Sequence, residues 1–297
     1  MPDAIGRAAA RPAAAALATR RARARRLMSG LGWALFYGGL SLGAVAMALP
    51  MVWMVVTSFK DEGRVFAVPI QWLPVPFRPD NYARAWNMAP WGLYFFNSVF
   101  VAASTTLLNV GFSSLAGFGF AKYRFPFRQP LFVLVLATLM IPFQVIMVPL
   151  FIITKDLGWL NTYQGLIVPG AVTAFGVFMM RQFMITIPDE LLSAARIDGC
   201  SELGLFWRIM FPLAAPAAAA LAIFTFTASW DALLWPLIVT TKTGLRTLPL
   251  GLALFRSEYQ THYTSMMAAS VWTTIPIVVL FLALQRQFVQ GIVISGL

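Results

Sequence analysis

Six stretches of this chain are apolar for long enough to cross a bilayer, more than the core of a soluble domain this size could bury. A spanning helix needs roughly 20 mostly apolar residues, within about 17–25. The stretches lie at about 31–58, 93–120, 130–153, 164–183, 214–239 and 267–285. Small, polar or helix-kinking residues interrupt them, as buried spans tolerate. Charge agrees with length: only 11% of the residues are charged, against about 25% in a soluble domain. The expected fold is an all-α integral membrane protein of six transmembrane helices.

The basic residues orient it. Seven arginines precede the first span, centred on RRARARR. Placing them in the cytoplasm also puts Lys122, Arg124, Arg128, Arg181, Arg196, Arg208 and Arg286 inside, fourteen of the 22 basic residues. That is the positive-inside pattern, and it accounts for the formal charge of +11 without nucleic acid. Six spans then return both termini to the cytoplasm. Ala44-Val45-Ala46 resembles a signal-peptidase site, but the apolar run continues through Val56, beyond the about 7–15 residues of a signal core. The first stretch is expected to be a retained span. The organisation is thus a tail at 1–29, a first helix at 30–58, an external loop at 59–92, the remaining spans within 93–286, and a tail at 287–297. Prolines at 69, 74, 76, 79 and 90 exclude regular helix from most of the external loop. Its Trp72, Trp86 and Trp91 suit the membrane surface.

Several chemistries have no residues to carry them. There is no phosphate-binding glycine loop, no H-E-x-x-H and no G-x-S-x-G. The single cysteine, Cys200, rules out an internal disulfide, and His262, alone in a loop, is read as solvated. No metal site is expected. Ion-coupled transporters place ionisable groups at membrane depth, yet Asp231 in ASWDALLWPL is the one clear candidate. The chain reads as neither an enzyme nor a self-powered pump.

One stretch breaks the apolar pattern, LLSAARIDGCSELGLFWRIMFPLAAP at 191–216. Pro188-Asp189 opens a helix, with Asp189 positioned to cap it and Glu190 favoured by the helix dipole. Gly199 supplies a left-handed stop, and Ser201 caps a second helix. Leu203, Phe206, Trp207 and Met210 form an i, i+3, i+4, i+7 stripe ending at Pro212. Helices of about ten residues are marginal alone, so the pair must pack on something, either the bilayer surface or a partner's groove.

AARIDGCSELGLFWRIMFPLAAP resembles the EAA loop of ABC-transporter permeases, E-A-A-x-x-D-G followed by an aromatic and P-L-x-x-P. Ala194, Ala195, Asp198, Gly199, Phe206, Pro212, Leu213 and Pro216 stand at the matching positions. The resemblance to carbohydrate-importer permeases of the maltose type extends from about residue 30 to 297. It runs through DNYARAW (80–86), LMIPFQVIMVPLF (139–151), LGWLNTYQGLIVP (157–169), FMMRQFMITIPDEL (178–191), SWDALLWPLIVTT (229–241) and TLPLGL (247–252). It also takes in the long segments at 97–128 and 267–291. It implies a type I importer permease fold, in which 93–286 is the permease domain and 189–212 is a coupling helix set in an ATPase cleft. It also implies a second permease subunit, a cytoplasmic ATPase dimer that binds ATP and Mg, an external solute-binding protein, and a bacterial inner-membrane location. The family usually has glutamate before Ala-Ala, where this chain has Ser193; Glu190 lies about one turn earlier. The tail QRQFVQGIVISGL resembles the family segment that reaches between the ATPase subunits.

For the translocation path the candidates are Asp231, Trp230 and Trp235, with Gln144 and Asn109 beside them. Pro142, Pro149 and Pro276 are expected to kink spans three and six, and Gly111, Gly117 and Gly119 to let the second helix pack closely. The implied function is ATP-driven uptake of a carbohydrate, with polyol or glycerol-phosphate as alternatives. A self-sufficient secondary transporter and a non-transporting membrane scaffold are the competing classes.

Overall fold

The computed structural model describes residues 32–258 and 262–295. The arginine-rich tail therefore lies outside the described residues, as do the last two positions. Among the described residues all regular structure is helical. It comprises α1 (Gly32–Ser58), α2 (Asp80–Met88), α3 (Trp91–Lys122), α4 (Arg128–Thr138), α5 (Phe143–Asp156), α6 (Tyr163–Ile167) and α7 (Ala174–Ile185). It continues with α8 (Asp189–Ile197), α9 (Glu202–Leu205), α10 (Phe211–Leu213), α11 (Ala215–Trp230), α12 (Leu234–Val239), α13 (Leu248–Glu258) and α14 (Tyr263–Ser295).

Two helices, α1 and α3, are continuous and long and apolar enough to cross a membrane. Three more such stretches are bent pairs: α4 with α5 at 100°, α6 with α7 at 42°, and α9–α10 with α11 at 78°. The kink expected in the span at 130–153 is thus corrected to a break, two helices meeting at a sharp corner. Pro142 is the cause. A proline disfavours the helical region for the residue before it and donates no N–H, and α4 closes through Leu139 N–H to Leu136 O and Met140 N–H to Ala137 O. Pro149 stays inside α5 and Pro276 inside α14. The expected span at 214–239 is likewise divided, because α11 stops at Trp230 and α12 begins at Leu234. In the external loop, helix appears only after Pro79, as α2, apart from one 3₁₀ turn at Glu62–Arg64.

The centre of the bundle is α3, packed against α7 and α11. Its buried face carries Asn97, Ser98, Thr105, Asn109, Ser113, Ser114 and Gly117, while Leu107, Phe112, Phe95 and Phe96 point outward. A helix that buries small and polar residues and exposes large apolar ones is built for lipid. Of the three glycines expected to permit close packing, only Gly117 does so. A Cβ there would lie 2.8 Å from Met180 Cβ and 2.8 Å from Arg181 N, whereas Gly111 and Gly119 face open space. The apolar window of α1 is 0% buried within the chain.

Candidate functional site

The unusual stretch folds as a corner. Helix α8 follows Pro188, whose missing N–H is no loss at a helix start. Asp189 does not cap it as expected. Its carboxylate accepts from Lys122 Nζ at 2.6 Å, and the same ammonium donates to Ile187 O at 2.5 Å. The end of α3 is thereby fastened to the start of α8. At the far end, Gly199 has φ +78°, Gly199 N–H donates to Arg196 O and Cys200 N–H to Ala195 O. This is a Schellman closure, with Asp198 as the C-cap. Ser201 Oγ then caps α9 by accepting from Gly204 N–H at 3.2 Å, as expected.

A forked ion pair spans the glycine. Arg196 Nε and Nη2 donate to the two oxygens of Glu202 at 2.9 and 3.1 Å, and Tyr123 Oη donates to the same carboxylate. The residue after α3, distant in sequence, and the facing ends of α8 and α9 are held by one carboxylate. Asp189 and Glu202 are both stabilised as anions. The hydrogen bond and charge of Lys122 hold Asp189 below its usual range, and Arg196 first, then Tyr123, does so for Glu202. Burial, then Glu202, pushes the Tyr123 hydroxyl up.

A pH dependence follows. Carboxylates whose folded pKa is depressed add stability above their unfolded value, about 4, and lose it as pH falls through the lower folded one. The corner is therefore expected to be unchanged from pH 8 to about 5 and to open only below about 4. Amide exchange at Gly199, Cys200 and Gly204, normalised for intrinsic rates, measures this; opening already at pH 6 contradicts the assignment.

The inner side of the corner is packed under α3 and α7. Leu192, Leu205, Phe206 and Met210 are buried with Phe118, Met180 and Met184. The expected stripe is corrected here: Phe206 and Met210 face the core, but Leu203 is 69% and Trp207 53% exposed. Residues Phe206–Met210 form a π turn, closed by Phe211 N–H on Phe206 O. Leu203 lies before that turn and is already outward on α9, while the widening changes the helical phase from Phe206 onward and makes room for Pro212, whose ring would otherwise press on the carbonyl of Arg208. Outward stand Glu190, Ser193, Ala194, Asp198 and Pro212, with Leu191 and Ile197 among the exposed apolar residues. Ser193 Oγ folds back onto Asp189 O at 3.2 Å. Ala195 is half-buried against the core.

A second feature is a cavity of about 550 Å³ between α3, the α6–α7 bend, the start of α5, α11 and α12. Its wall offers the aromatics Phe143, Phe175, Phe224 and Trp235, with Thr105, Asn109, Thr173, Thr225 and Ser229 as polar groups. Of the five path candidates it gathers Asn109 and Trp235. Asn109 is committed to protein partners: Nδ2 donates to Gly170 O and Thr173 Oγ1, and Oδ1 accepts from Ser113 Oγ. Thr173 Oγ1 in turn caps α7 through Gly176 N–H at 3.0 Å. Asn109 thus holds the bend that shapes the cavity. Trp235 Nε1 is likewise spoken for, donating to Gly165 O at 2.8 Å, which leaves its ring as the offered surface.

The other three candidates are not brought to this cavity. Trp230 is buried in a separate aromatic core, stacked on Phe226 at 5.8 Å. Asp231 is the exposed C-cap of α11 and its carboxylate has no hydrogen-bond partner among the described residues, although its neighbours Ser229 and Ala232 line the wall. Gln144 is exposed beside the lining Phe143. Sequence reasoning missed Lys122, Tyr123 and Glu202. Lys122 counted only as a topology charge, and pairings across 67 and 79 residues leave no periodic signature.

The family described as binding-protein-dependent transport system inner membrane component matches residues 109–294. The arabinooligosaccharides transport system permease protein AraQ of Halalkalibacterium halodurans is 38% identical over 271 residues, covering 90% of this chain and 96% of that protein. The sn-glycerol-3-phosphate transport system permease protein UgpE of Yersinia enterocolitica is 36% identical over 264 residues, covering 86% and 94%. Among solved structures, a chain of a bacterial ABC transporter involved in the import of the acidic polysaccharide alginate superposes with a TM-score of 0.76 at 21% identity, covering 89% of this chain and 97% of that one. Helices of membrane-crossing length, a fold shared with an importer and relatives matched almost end to end agree: this chain belongs to the binding-protein-dependent transport system inner membrane component family.

Proposed function

We infer that this chain is one permease subunit of an ATP-driven importer of a carbohydrate, working in a bacterial inner membrane with both termini cytoplasmic. In this reading a second permease completes the pathway and an external solute-binding protein delivers the sugar. A cytoplasmic ATPase dimer, which binds ATP and Mg, drives the cycle through residues 189–212. The observation that carries the reading is the corner at Gly199. Its inner side is locked to the bundle by Phe206, Met210, the Lys122–Asp189 ion pair and the Tyr123–Glu202 hydrogen bond, while Leu191, Ile197, Leu203 and Trp207 are exposed. A rigid knob with an apolar outer surface suits a groove in a partner. Where the family usually carries a glutamate, Ser193 presents a hydroxyl, so the exposed Glu190 is the carboxylate left on that turn for an ATPase cation.

The cavity favours a neutral sugar over glycerol-phosphate. Its described wall contains no Lys or Arg, and a buried phosphate without a cation is strongly disfavoured. Aromatic faces with hydroxyl groups suit sugar rings, and Trp235 is the stacking surface. The test is reconstitution in proteoliposomes with the second permease, the ATPase pair and the binding protein. ATP-dependent uptake of a labelled oligosaccharide, absent when any component is omitted, is expected. Uptake by this chain alone that collapses with an ion gradient would replace the reading with a secondary transporter.

A further inference from the structure

We propose that the corner between the end of α3, the start of α4 and the second half of α7 binds the phosphodiester headgroup of an anionic phospholipid. Two arginines converge there without a carboxylate. Arg128 Nη1 donates to Tyr123 O at 3.1 Å, and Arg181 Nε donates to Phe120 O at 3.3 Å, both gripping the last turn of α3 and the residue that follows it. Arg181 also lies 4.0 Å over the Phe132 ring, and its Nη1 reaches Gln182 Oε1 at 3.4 Å. The two carbonyls they bind, Phe120 and Tyr123, lie three residues apart at the end of α3, and Phe132 under Arg181 is one turn along α4 from Arg128. Asp189, at the start of α8, is taken by Lys122 and also feels Arg124. No ion pair reaches Arg128 or Arg181 among the described residues.

Topology alone asks only that basic residues lie near this end of the spans. It does not ask that two of them be half-buried, oriented by neighbouring backbone carbonyls and an aromatic ring, and left without a carboxylate. Such an arrangement is preorganised for an anion that accepts from both forks, as a phosphate does. Helix α4 adds to it: Arg128 is its first residue, and its first turn holds no acid to offset the positive end of the helix dipole.

Lipid, rather than an acidic protein segment, is the occupant that fits what lies beside the charges. Phe127 is 76% exposed, and Leu131 and Leu134, one turn apart on the same side of α4, are exposed too. A headgroup at the arginines would lay its acyl chains along that side. An acidic peptide would leave it bare.

The inference rests on the chain spanning a membrane, not on its coupling to an ATPase. Native mass spectrometry of the full-length chain, titrated with phosphatidylglycerol and separately with phosphatidylcholine, tests it. Wild type is expected to bind phosphatidylglycerol the tighter of the two, with Arg128→Gln/Arg181→Gln losing roughly thirtyfold of that affinity. The control Arg78→Gln/Arg84→Gln removes two arginines that already face Asp61 and Asp80, and it should match wild type. Equal affinity of wild type for the two lipids overturns the proposal, whatever the variants do. So does equal loss in both double variants, which would mean net charge alone. Displacement of phosphatidylglycerol by millimolar inorganic phosphate would reassign the corner to a free anion, and displacement by a poly-glutamate peptide to an acidic partner. None of these results bears on sugar uptake, which is measured separately.

Discussion

Gly117→Val is expected to abolish the folded packing of α3 on α7 while Gly119→Val, two residues away, leaves the protein nearly unchanged. The Cβ of the first would stand 2.8 Å from both Met180 Cβ and Arg181 N, distances that real Cβ atoms do not adopt, and one of those atoms is backbone. Neither helix can retreat freely. Met180 is fully buried between them, and four residues earlier α7 comes as close again, a Cβ at Gly176 meeting Ser113 Oγ at 2.5 Å and Asn109 Oδ1 at 2.7 Å. Overpacking costs about 1–3 kcal/mol and occasionally more; a branched residue against backbone belongs at the upper end. A Cβ at Gly119 has nothing within 4 Å, and valine there avoids the backbone-entropy cost of glycine in a helix, worth a few tenths of a kcal/mol. Thermal midpoints of the two purified variants in one detergent decide the matter. A Gly117→Val protein that melts with wild type would show that α3 and α7 do not approach as described.

That contrast marks what was legible in advance. Three glycines in one helix read alike in the sequence, and only contact with α7, some sixty residues away, separates Gly117 from Gly111 and Gly119. Local rules did well where the deciding interactions were local: the left-handed Gly199, the Ser201 cap, and the exclusion of regular helix from most of the proline-rich external loop. They failed where backbone phase or distant partners intervened. Asp189 has the composition of a capping residue, but Lys122 competes for its carboxylate with a full charge. Leu203 and Trp207 fit a regular apolar stripe, but only its other members, Phe206 and Met210, meet the core, and a π turn breaks the regular register from Phe206 onward. Pro142 was read as a kink because kinks preserve a span, whereas the chain turns through 100° there. For the cavity, Asn109 and Trp235 were recognisable as unusual, but their hydrogen bonds to Gly170 and Gly165 decide what each offers.

The second large effect is expected at Gly199. Replacing it with valine should reduce ATP-dependent uptake to background while the chain still inserts and retains most of its melting midpoint. No neighbour lies within 4 Å of a Cβ there, so the effect is one of backbone geometry. At φ +78° an L-residue pays about 1–2 kcal/mol, and a β-branched one the most. The chain can escape that cost by turning Gly199 to negative φ, which breaks the closing bonds to Arg196 O and Ala195 O and parts the Arg196–Glu202 fork. The inner anchors, Leu192, Leu205, Phe206 and Met210, stay in their core, so the fold tolerates what the outer surface does not. Asparagine adopts left-handed geometry more readily than other non-glycine residues, and Gly199→Asn should keep a substantial part of the uptake. If the corner transmits ATPase motion, the valine variant assembled with its partners should hydrolyse ATP without moving sugar, or fail to hold the ATPase at all. Wild-type uptake by Gly199→Val would remove this corner from the coupling pathway, and equal failure of both variants would shift the cause from backbone angle to the bare presence of a side chain at the partner's surface.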